Sequence, residues 1–225
     1  MSAQKTLIQQ LAKITERYAP LNQHHLNLIA QTIDSAQARH ARIFALRIDL
    51  RFPHQDNDMP CYPVLTDSAV ISRFIDALKA RITAETQYKQ RMGKSVHPCH
   101  LHYAWARECN NAHHEHYHLL LLFNKDRYYT LGNFNNTDDT LLNKIRAAWA
   151  SALSLMPPEA VGLVHVPENA EYHLDRHKPA AQQEEQLSAL LLRAGYLAKL
   201  DTKVCKPGYR SFGCSRIQKI DNPNF

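Results

Sequence analysis

The sequence is poor in glycine and has no long apolar run. Only 6 of its 225 residues are glycine and 44% are hydrophobic, a composition that excludes collagen-like and intrinsically disordered chains. The longest apolar run, Leu119–Phe123, falls far short of the roughly 18 residues that cross a bilayer. The N-terminal residues also lack the continuous apolar segment of a signal peptide. We therefore expect a globular cytoplasmic protein with no membrane partner.

The cysteines and the net charge indicate which cellular compartment and which kind of binding partner to expect. The five cysteines are odd in number and include no C-x-x-C pair, so free thiols in a reduced compartment are favoured over a disulfide framework or a zinc cage. Lysine and arginine (27 residues) exceed aspartate and glutamate (21 residues), which gives a net charge of +6. That surplus suits a polyanionic partner, although many basic proteins bind none.

Apolar periodicity predicts a helical N-terminal extension followed by one larger domain. Residues Thr6–Tyr18 and Leu21–His40 carry apolar side chains at helical spacing. We place the extension at residues 1–40 and the domain at residues 41–225.

The predicted elements of the larger domain alternate between strands and helices. In chain order they are strand Ile43–Phe52, a helix capped by Asp67 or Ser68 and running to about Gln90, strands His100–Glu108 and His116–Phe123, a helix capped by Thr137 or Asp138 and ended by Pro157, strand Val161–Val166 and helix Gln182–Leu200. This order, β-α-β-β-α-β-α, favours an α+β fold of the ferredoxin-like kind, with helices packed on an antiparallel or mixed sheet.

Two histidines at the start of the most apolar strand are candidate metal ligands. His116 and His118 flank Tyr117, so the alternation of a strand places both imidazoles on one face. Two neutral imidazoles on one face can bind a divalent ion from the same side. Hydrogen-bonded strand histidines account for the spacing equally well.

Strand register supplies a carboxylate for the same site. If the two histidine-bearing strands form a hairpin, Glu108 lies opposite His116 and Ala106 lies opposite His118. Glu108 then shares the face of the histidines and completes a His/His/carboxylate site with open positions. A slip of one residue would turn Glu108 away. His102 has the same parity but lies about 20 Å along the strand, so we expect it outside the site.

A candidate nucleophile lies in the last predicted helix. Tyr196, Lys199 and Lys203 are separated by three and four residues, which places them on one stripe of that helix. The phenol of Tyr196 can attack phosphorus and later depart from it, and Lys199 would neutralise charge on the phosphate. On this stretch alone, an amphipathic helix with a half-buried tyrosine and two solvated lysines is the simpler interpretation.

Taken together, these motifs resemble a known family. The strand IFALRIDLRF, a glutamate ahead of HYHLLLLFNKDRYYTLG and a later YLAKLDTK resemble the three ordered motifs of HUH rolling-circle replication initiators. The chain is most similar to the inovirus gene-two-type replication proteins and the YagK/YfjJ C-terminal domain family, over roughly Arg42 to Arg216. The resemblance implies the HUH endonuclease version of the ferredoxin-like fold.

The resemblance also implies a role for each candidate residue. His116, His118 and Glu108 would bind Mg²⁺ or Mn²⁺. Tyr196, with Lys199 as its companion, would join a 5′ phosphate of single-stranded DNA. Such an enzyme nicks and rejoins one strand through a 5′-phosphotyrosine intermediate and initiates rolling-circle replication of a phage, prophage or plasmid-like element.

Two departures from the family pattern leave other functions open. One tyrosine, Tyr196, stands in the third motif where a pair is found in other members, and Asp49 occupies the first-motif strand where many members carry a hydroxyl residue. The alternatives are a non-catalytic DNA-binding regulator with the same fold, an HUH transposase or mobilisation protein, and a structural metal protein.

The expected partner is single-stranded or hairpin DNA at a replication origin. No G-x-x-x-x-G-K-[ST] motif occurs in the sequence, so strand separation would need a host helicase, and a host polymerase would extend the free 3′ end. The basic residues expected to contact DNA are Lys203, Arg47, Arg51, Arg210 and Arg216.

Overall fold

One antiparallel sheet organises the molecule. The computed structural model describes residues 2–53, 65–110, 114–132, 140–200 and 208–216, and within them six strands form a single sheet. The strands are β1 Arg42–Arg51, β2 His102–Asn110, β3 His114–Asn124, β4 Val164–His165, β5 Glu171–Asp175 and β6 Phe212–Cys214. Their order is β4-β1-β3-β2-β6, and β5 pairs with the other half of β1.

The central strands have the connectivity of a ferredoxin-like unit. Helix α3, Val70–Arg91, connects β1 to β2, and helix α4, Leu141–Leu153, connects β3 to β4. The order β4-β1-β3-β2, with every neighbouring pair antiparallel, is that of the split β-α-β-β-α-β motif. The predicted α+β fold of ferredoxin-like type is therefore confirmed.

Both faces of the sheet are buried. On the first face, Tyr117 and Phe123 of β3 pack with α3 and α4 around Trp149. On the second face, Leu120 and Leu122 pack beneath helices α1 Ala3–Tyr18, α2 Gln23–Arg39 and α5 Ala180–Ala194. Because helices cover both faces, the middle of β3, Leu119–Phe123, is apolar at every position. The histidines of β3 belong to the second face.

The N-terminal helices are anchored to each other and to the second face. The Ser2 hydroxyl accepts a hydrogen bond from the Gln4 amide, and the Asp34 carboxylate of α2 accepts hydrogen bonds from the Ala3 and Gln4 amides. A carboxylate at this position also interacts favourably with the N-terminal end of the α1 dipole. The two helices share one apolar core with the sheet and α5, while the division of the chain at residue 41 stays a prediction.

Several element boundaries differ from the sequence expectations. Helix α4 is capped by Thr140, whose hydroxyl accepts a hydrogen bond from Asn143 N at 3.2 Å; Thr137 and Asp138, the expected caps, lie outside the described residues. The prolines after α4 begin a 3₁₀ helix, Pro157–Leu163, because proline fixes φ at a helical value. That helix occupies half of the predicted strand and leaves only two residues for β4.

Strand β5 was not expected from the sequence. It pairs with β1, and Leu174 is its one fully buried side chain, between polar neighbours. A five-residue strand with one apolar anchor gives almost no alternation to detect. None of the described helices is long and apolar enough to span a membrane.

Candidate metal centre and facing tyrosine

Glu108, His116 and His118 form one cluster on the second face. In the β2–β3 hairpin Glu108 pairs with His116 and Ala106 with His118, which confirms the expected register. One ligand atom from each of the three side chains lies within 4.8 Å of the other two. Glu108 is fully buried and His118 nearly so, whereas His116 is half-buried at the margin of the cluster.

The distances between the donor atoms suit one metal ion. His118 Nε2 lies 3.0 Å from His116 Nε2 and 3.1 Å from Glu108 Oε2. Two donor atoms that each lie about 2.1 Å from the same ion, at a right angle, are about 3.0 Å apart. Imidazole nitrogen and carboxylate oxygen are both ligands for divalent ions such as Mn²⁺. The three residues therefore fit a divalent ion with little rearrangement.

Asp49 and Arg47 of β1 fix the orientation of the His118 ring. Strand pairing sets Asp49 opposite His118, and Asp49 Oδ1 lies 2.5 Å from His118 Nδ1. A proton on Nδ1 donated to this carboxylate leaves the lone pair of Nε2 pointing at the cluster. Arg47 forms an ion pair with Asp49, which keeps that carboxylate ionised as the acceptor of the His118 proton. Although burial alone would raise the pKa of Asp49, the hydrogen bond from His118 and the charge of Arg47 hold it well below its usual range.

Tyr196 faces this cluster from the opposite wall. Its hydroxyl donates a hydrogen bond to Glu108 Oε2 at 3.2 Å. Its ring meets the His118 ring edge-to-face, with centroids 4.9 Å apart. Burial, and then the charge and hydrogen bond of Glu108, raise the pKa of Tyr196 to about 12, so the phenol is protonated at neutral pH.

The tyrosine lies on a 3₁₀ turn and not on the predicted long helix. Helix α5 ends at Ala194, and the turn Gly195–Ala198 follows it. Lys199 then adopts an extended backbone and pairs with Leu21. The expected stripe of Tyr196, Lys199 and Lys203 on one helix is therefore wrong for Lys199, and Lys203 lies outside the described residues.

The N-terminal helices hold this turn in place. Asn22 N donates to Ala198 O at 2.8 Å, and Leu200 N donates to Pro20 O at 2.9 Å. The Tyr18 ring, at the end of α1, meets the Tyr196 ring edge-to-face at 5.6 Å between centroids. These backbone bonds compete with continuation of α5 and explain why the helix stops. The residues before β1 thus contribute directly to the position of the candidate nucleophile.

Gly195 permits the close approach of α1 to the tyrosine turn, and its replacement should destabilise the protein. A Cβ on Gly195 would lie 2.6 Å from the Cγ2 methyl of the buried Ile14. We expect Gly195→Ala to lower the free energy of unfolding by about 1–3 kcal/mol, the usual cost of overpacking. Urea denaturation followed by circular dichroism measures this change.

Gly162→Ala is the matched control for this substitution. Nothing lies within 4 Å of a Cβ built on Gly162, so its free energy of unfolding should stay within about 0.5 kcal/mol of the parent. An unchanged stability of Gly195→Ala would contradict the tight contact between α1 and the turn.

The remaining predicted residues are placed in different surroundings. Arg47 is buried against Asp49, while Arg51, Arg210 and Arg216 are exposed. The Arg210 guanidinium lies 5.6 Å from the centre of a Trp105 ring. His102 pairs with Leu122, away from the cluster, which confirms that expectation.

Sequence reasoning missed what Asp49 and the N-terminal helices do. In the sequence, Asp49 stands out only as a departure from the family pattern, and Tyr18 carries no signal because its partner is distant in the chain. Two charged residues inside a central strand, Arg47 and Asp49, are the local sign of a buried polar network.

Comparisons with known proteins place the chain among close relatives. The model of the family described as the YagK/YfjJ C-terminal domain matches residues 3–215. YagK of Escherichia coli (strain K12) is 42% identical over 183 residues, which cover 80% of this chain and 86% of YagK. YfjJ of the same strain is 38% identical over 192 residues, 84% of this chain and 91% of YfjJ. The match begins at the first residue of α1, so the resemblance is not confined to Arg42 onward.

One solved structure is a distant match. It is the N-terminal nuclease domain of the minute virus of mice non-structural protein-1. The two sequences are 9% identical, the aligned region covers 87% of this chain and 80% of the viral chain, and the TM-score is 0.28.

Proposed function

The chain belongs to the YagK/YfjJ C-terminal domain family, and we propose that it is a metal-dependent enzyme that nicks and joins single-stranded DNA. In this proposal it acts as an HUH replication initiator and begins rolling-circle replication of a phage, prophage or plasmid-like element. One observation carries the proposal. The hydroxyl of Tyr196 lies 3.2 Å from Glu108, within a cluster that also presents His116 and His118.

The metal ion in this proposal is Mg²⁺ or Mn²⁺, held by His116, His118 and Glu108. A bound divalent ion polarises the scissile phosphate and neutralises charge that develops on its oxygens. Asp49 keeps His118 in the tautomer that presents Nε2 to the ion. The phenol, the carboxylate and the two imidazoles face the same space, which suits a phosphate bound between them.

Tyr196 supplies the nucleophile in the proposed reaction. Its oxygen forms a bond to phosphorus while the bond from phosphorus to the 3′ oxygen breaks. The phenol loses a proton and the leaving 3′ oxygen gains one, so the step balances without a co-reactant. With a pKa near 12, the phenol must give up its proton as the new bond forms, and Glu108 Oε2, which accepts the hydrogen bond of the phenol, is placed to receive that proton. The phosphotyrosine bond conserves the energy needed for rejoining.

The DNA contacts in this proposal come from basic residues at several positions in the fold. Lys199, three residues after Tyr196, is the candidate partner of a phosphate oxygen, and Arg51 and Arg210 are exposed for backbone contacts. Arg47 is better suited to hold Asp49 than to bind DNA, because it is buried and already ion-paired. A host helicase and a host polymerase remain the proposed protein partners.

A direct assay tests the proposed function. The protein is incubated with Mn²⁺ and with single-stranded DNA fragments, labelled at their 3′ ends, that cover each strand of the element encoding it, and the products are separated on a denaturing gel. We expect label at the mobility of the protein, and we expect EDTA to remove it. DNA binding without a covalent adduct would favour the non-catalytic regulator instead.

Asp49→Asn should weaken metal binding and preserve the fold. The amide cannot accept the Nδ1 proton of His118 as strongly as the carboxylate does, and loss of such a partner costs about 10–100-fold in metal affinity or activity. Titration with Mn²⁺, followed by electron paramagnetic resonance, measures the affinity.

Asp175→Asn is the matched control for Asp49→Asn. Asp175 lies in β5, and its register partner is Arg42 at the far end of β1. The Asp175→Asn variant should bind Mn²⁺ with the same affinity as the parent. Equal affinity of Asp49→Asn and the parent would remove Asp49 from the account of the site.

A further inference from the structure

A second polar cleft lies at the edge of the sheet, remote from Tyr196. Its volume is about 390 Å³, and its walls come from the end of α2, the middle of α3, the start of β2 and the residues after β6. Strand β6 pairs with Ala104–Ala106 of β2, and Ser215 continues the contact to Tyr103, so the cleft lies where this pairing ends. His102 lines the cleft and stands six residues before Glu108 in the same strand, a separation of about 20 Å.

The cleft is lined by cations. Arg39, Lys79 and Arg216 border it, and no acidic side chain is among its described lining residues. None of the three forms an ion pair with a carboxylate in the part of the chain that the structure describes. Lys79 Nζ lies 5.4 Å from the centre of the Tyr103 ring. Three such cations around one concave surface favour an anion, and a phosphate accepts hydrogen bonds from all of them.

Two stacked histidine rings lie beside these cations. The rings of His40 and His100 stack with centroids 6.0 Å apart and planes inclined by 21°. The His100 amide donates to His40 Nε2 at 3.3 Å, which fixes the two residues together. His40 is buried and His100 is exposed at the cleft, so the outer ring is open to a planar ligand. Histidine is among the side chains on which bases of single-stranded nucleic acids stack.

The neighbouring His102 adds a neutral hydrogen-bond acceptor. Burial lowers the pKa of His102 to about 4, so its ring carries no charge at neutral pH. Its Nδ1 lies 3.2 Å from His100 O, which suits an Nδ1–H donor and leaves the lone pair on Nε2. Cations, a stacking ring and a neutral hydrogen-bonding ring together match the phosphate and the base of a nucleotide.

We propose that this cleft binds one nucleotide of single-stranded DNA, with its phosphate among Arg39, Lys79 and Arg216 and its base on the His100 ring. The choice of DNA rests on the proposed nickase function. The cleft then binds the DNA strand about 20 Å from Tyr196, so that one protein molecule contacts its substrate at two sites.

Binding of a labelled oligonucleotide tests this proposal. The probe is a fluorescein-labelled thymidine oligonucleotide of about 12 nucleotides, and fluorescence anisotropy is recorded in EDTA at several salt concentrations. We expect Arg39→Ala/Lys79→Ala to bind about tenfold more weakly at low salt and to lower the slope of log K against log salt by about 1.4, because two phosphate contacts are lost. We expect His100→Ala to bind at least about fivefold more weakly.

Matched variants control for charge and for ring loss. Arg176→Ala/Lys178→Ala removes the same charge from an exposed turn after β5, and His97→Ala removes an exposed imidazole that does not line the cleft. Both should bind as the parent does. Free thymidine 5′-monophosphate should compete far more weakly than the unlabelled oligonucleotide, and equal competition would make the cleft a mononucleotide site and overturn the proposal.

The outcome is separable from that of the nickase proposal. If the parent forms no covalent adduct and the cleft variants still weaken binding, the nickase fails and the cleft stands. If the parent forms the adduct while Arg39→Ala/Lys79→Ala keeps both the affinity and the salt slope of the parent, the cleft proposal is overturned. The substituted side chains are exposed, and a thermal melt checks that each variant folds.

Discussion

Tyr196→Phe should reduce the covalent protein–DNA adduct to less than about one thousandth of the parent level, since removal of a nucleophile is among the largest single effects in enzymes. The substitution removes one oxygen and leaves the ring against His118 and Tyr18. The fold and the equilibrium affinity for DNA should therefore be preserved. The measurement is the labelled adduct on a denaturing gel, under the conditions that give an adduct with the parent.

Tyr172→Phe is the matched control for the loss of the phenol. Tyr172 is also half-buried, and its hydroxyl also has a raised pKa because of burial. It lies in β5 opposite Ala45 of β1, and it is the next tyrosine to test. We expect a parent-level adduct from Tyr172→Phe. An adduct that persists in Tyr196→Phe and disappears in Tyr172→Phe would move the nucleophile to β5.

His118→Ala should abolish metal-dependent nicking. His118 contacts both other members of the cluster, His116 and Glu108, and its removal leaves two donors without the central one. We expect Mn²⁺ affinity to fall by more than about 100-fold, beyond the loss expected for a residue that only orients a ligand. Isothermal titration with Mn²⁺ and the adduct assay give the two readouts.

His102→Ala is the control for His118→Ala. Both histidines are buried on the second face of the sheet, but His102 lies outside the cluster. Its variant should retain Mn²⁺ affinity and adduct formation at saturating DNA. Nicking by His118→Ala at the parent rate would show that the ion, if one is needed, binds elsewhere.

A structural metal would give a different pattern. If the ion only stabilised the fold, EDTA would lower the melting temperature of the protein whether or not DNA is present. The cluster lies at one end of a sheet whose two apolar cores are formed without it. We therefore expect the folded state to persist in EDTA while the adduct is lost.

The register and the proximity of the candidate ligands could be predicted from the sequence because they depend on strand geometry. Period-two alternation puts His116 and His118 on one face, and a hairpin register then fixes Glu108 beside them. The α+β fold class could also be predicted, because it depends on the order of strands and helices along the chain. Short-range pattern and simple topology suffice when the interacting residues lie on neighbouring strands.

The parts that the sequence did not predict depend on contacts between distant segments. The helix of Tyr196 ends early because Pro20 and Asn22 bind the backbone that follows it, and apolar spacing in α5 carries no trace of those bonds. Asp49 acquires its role from strand β3 and from its neighbour Arg47. Tertiary context also overrides helix propensity at Lys199.

Mass spectrometry of the covalent adduct tests the central claim most directly. The adduct formed in Mn²⁺ is digested with nuclease and protease, and the modified peptide is sequenced by fragmentation. The account predicts a 5′-linked nucleotide on the oxygen of Tyr196. A nucleotide on any other side chain, with Tyr196 unmodified, would contradict it.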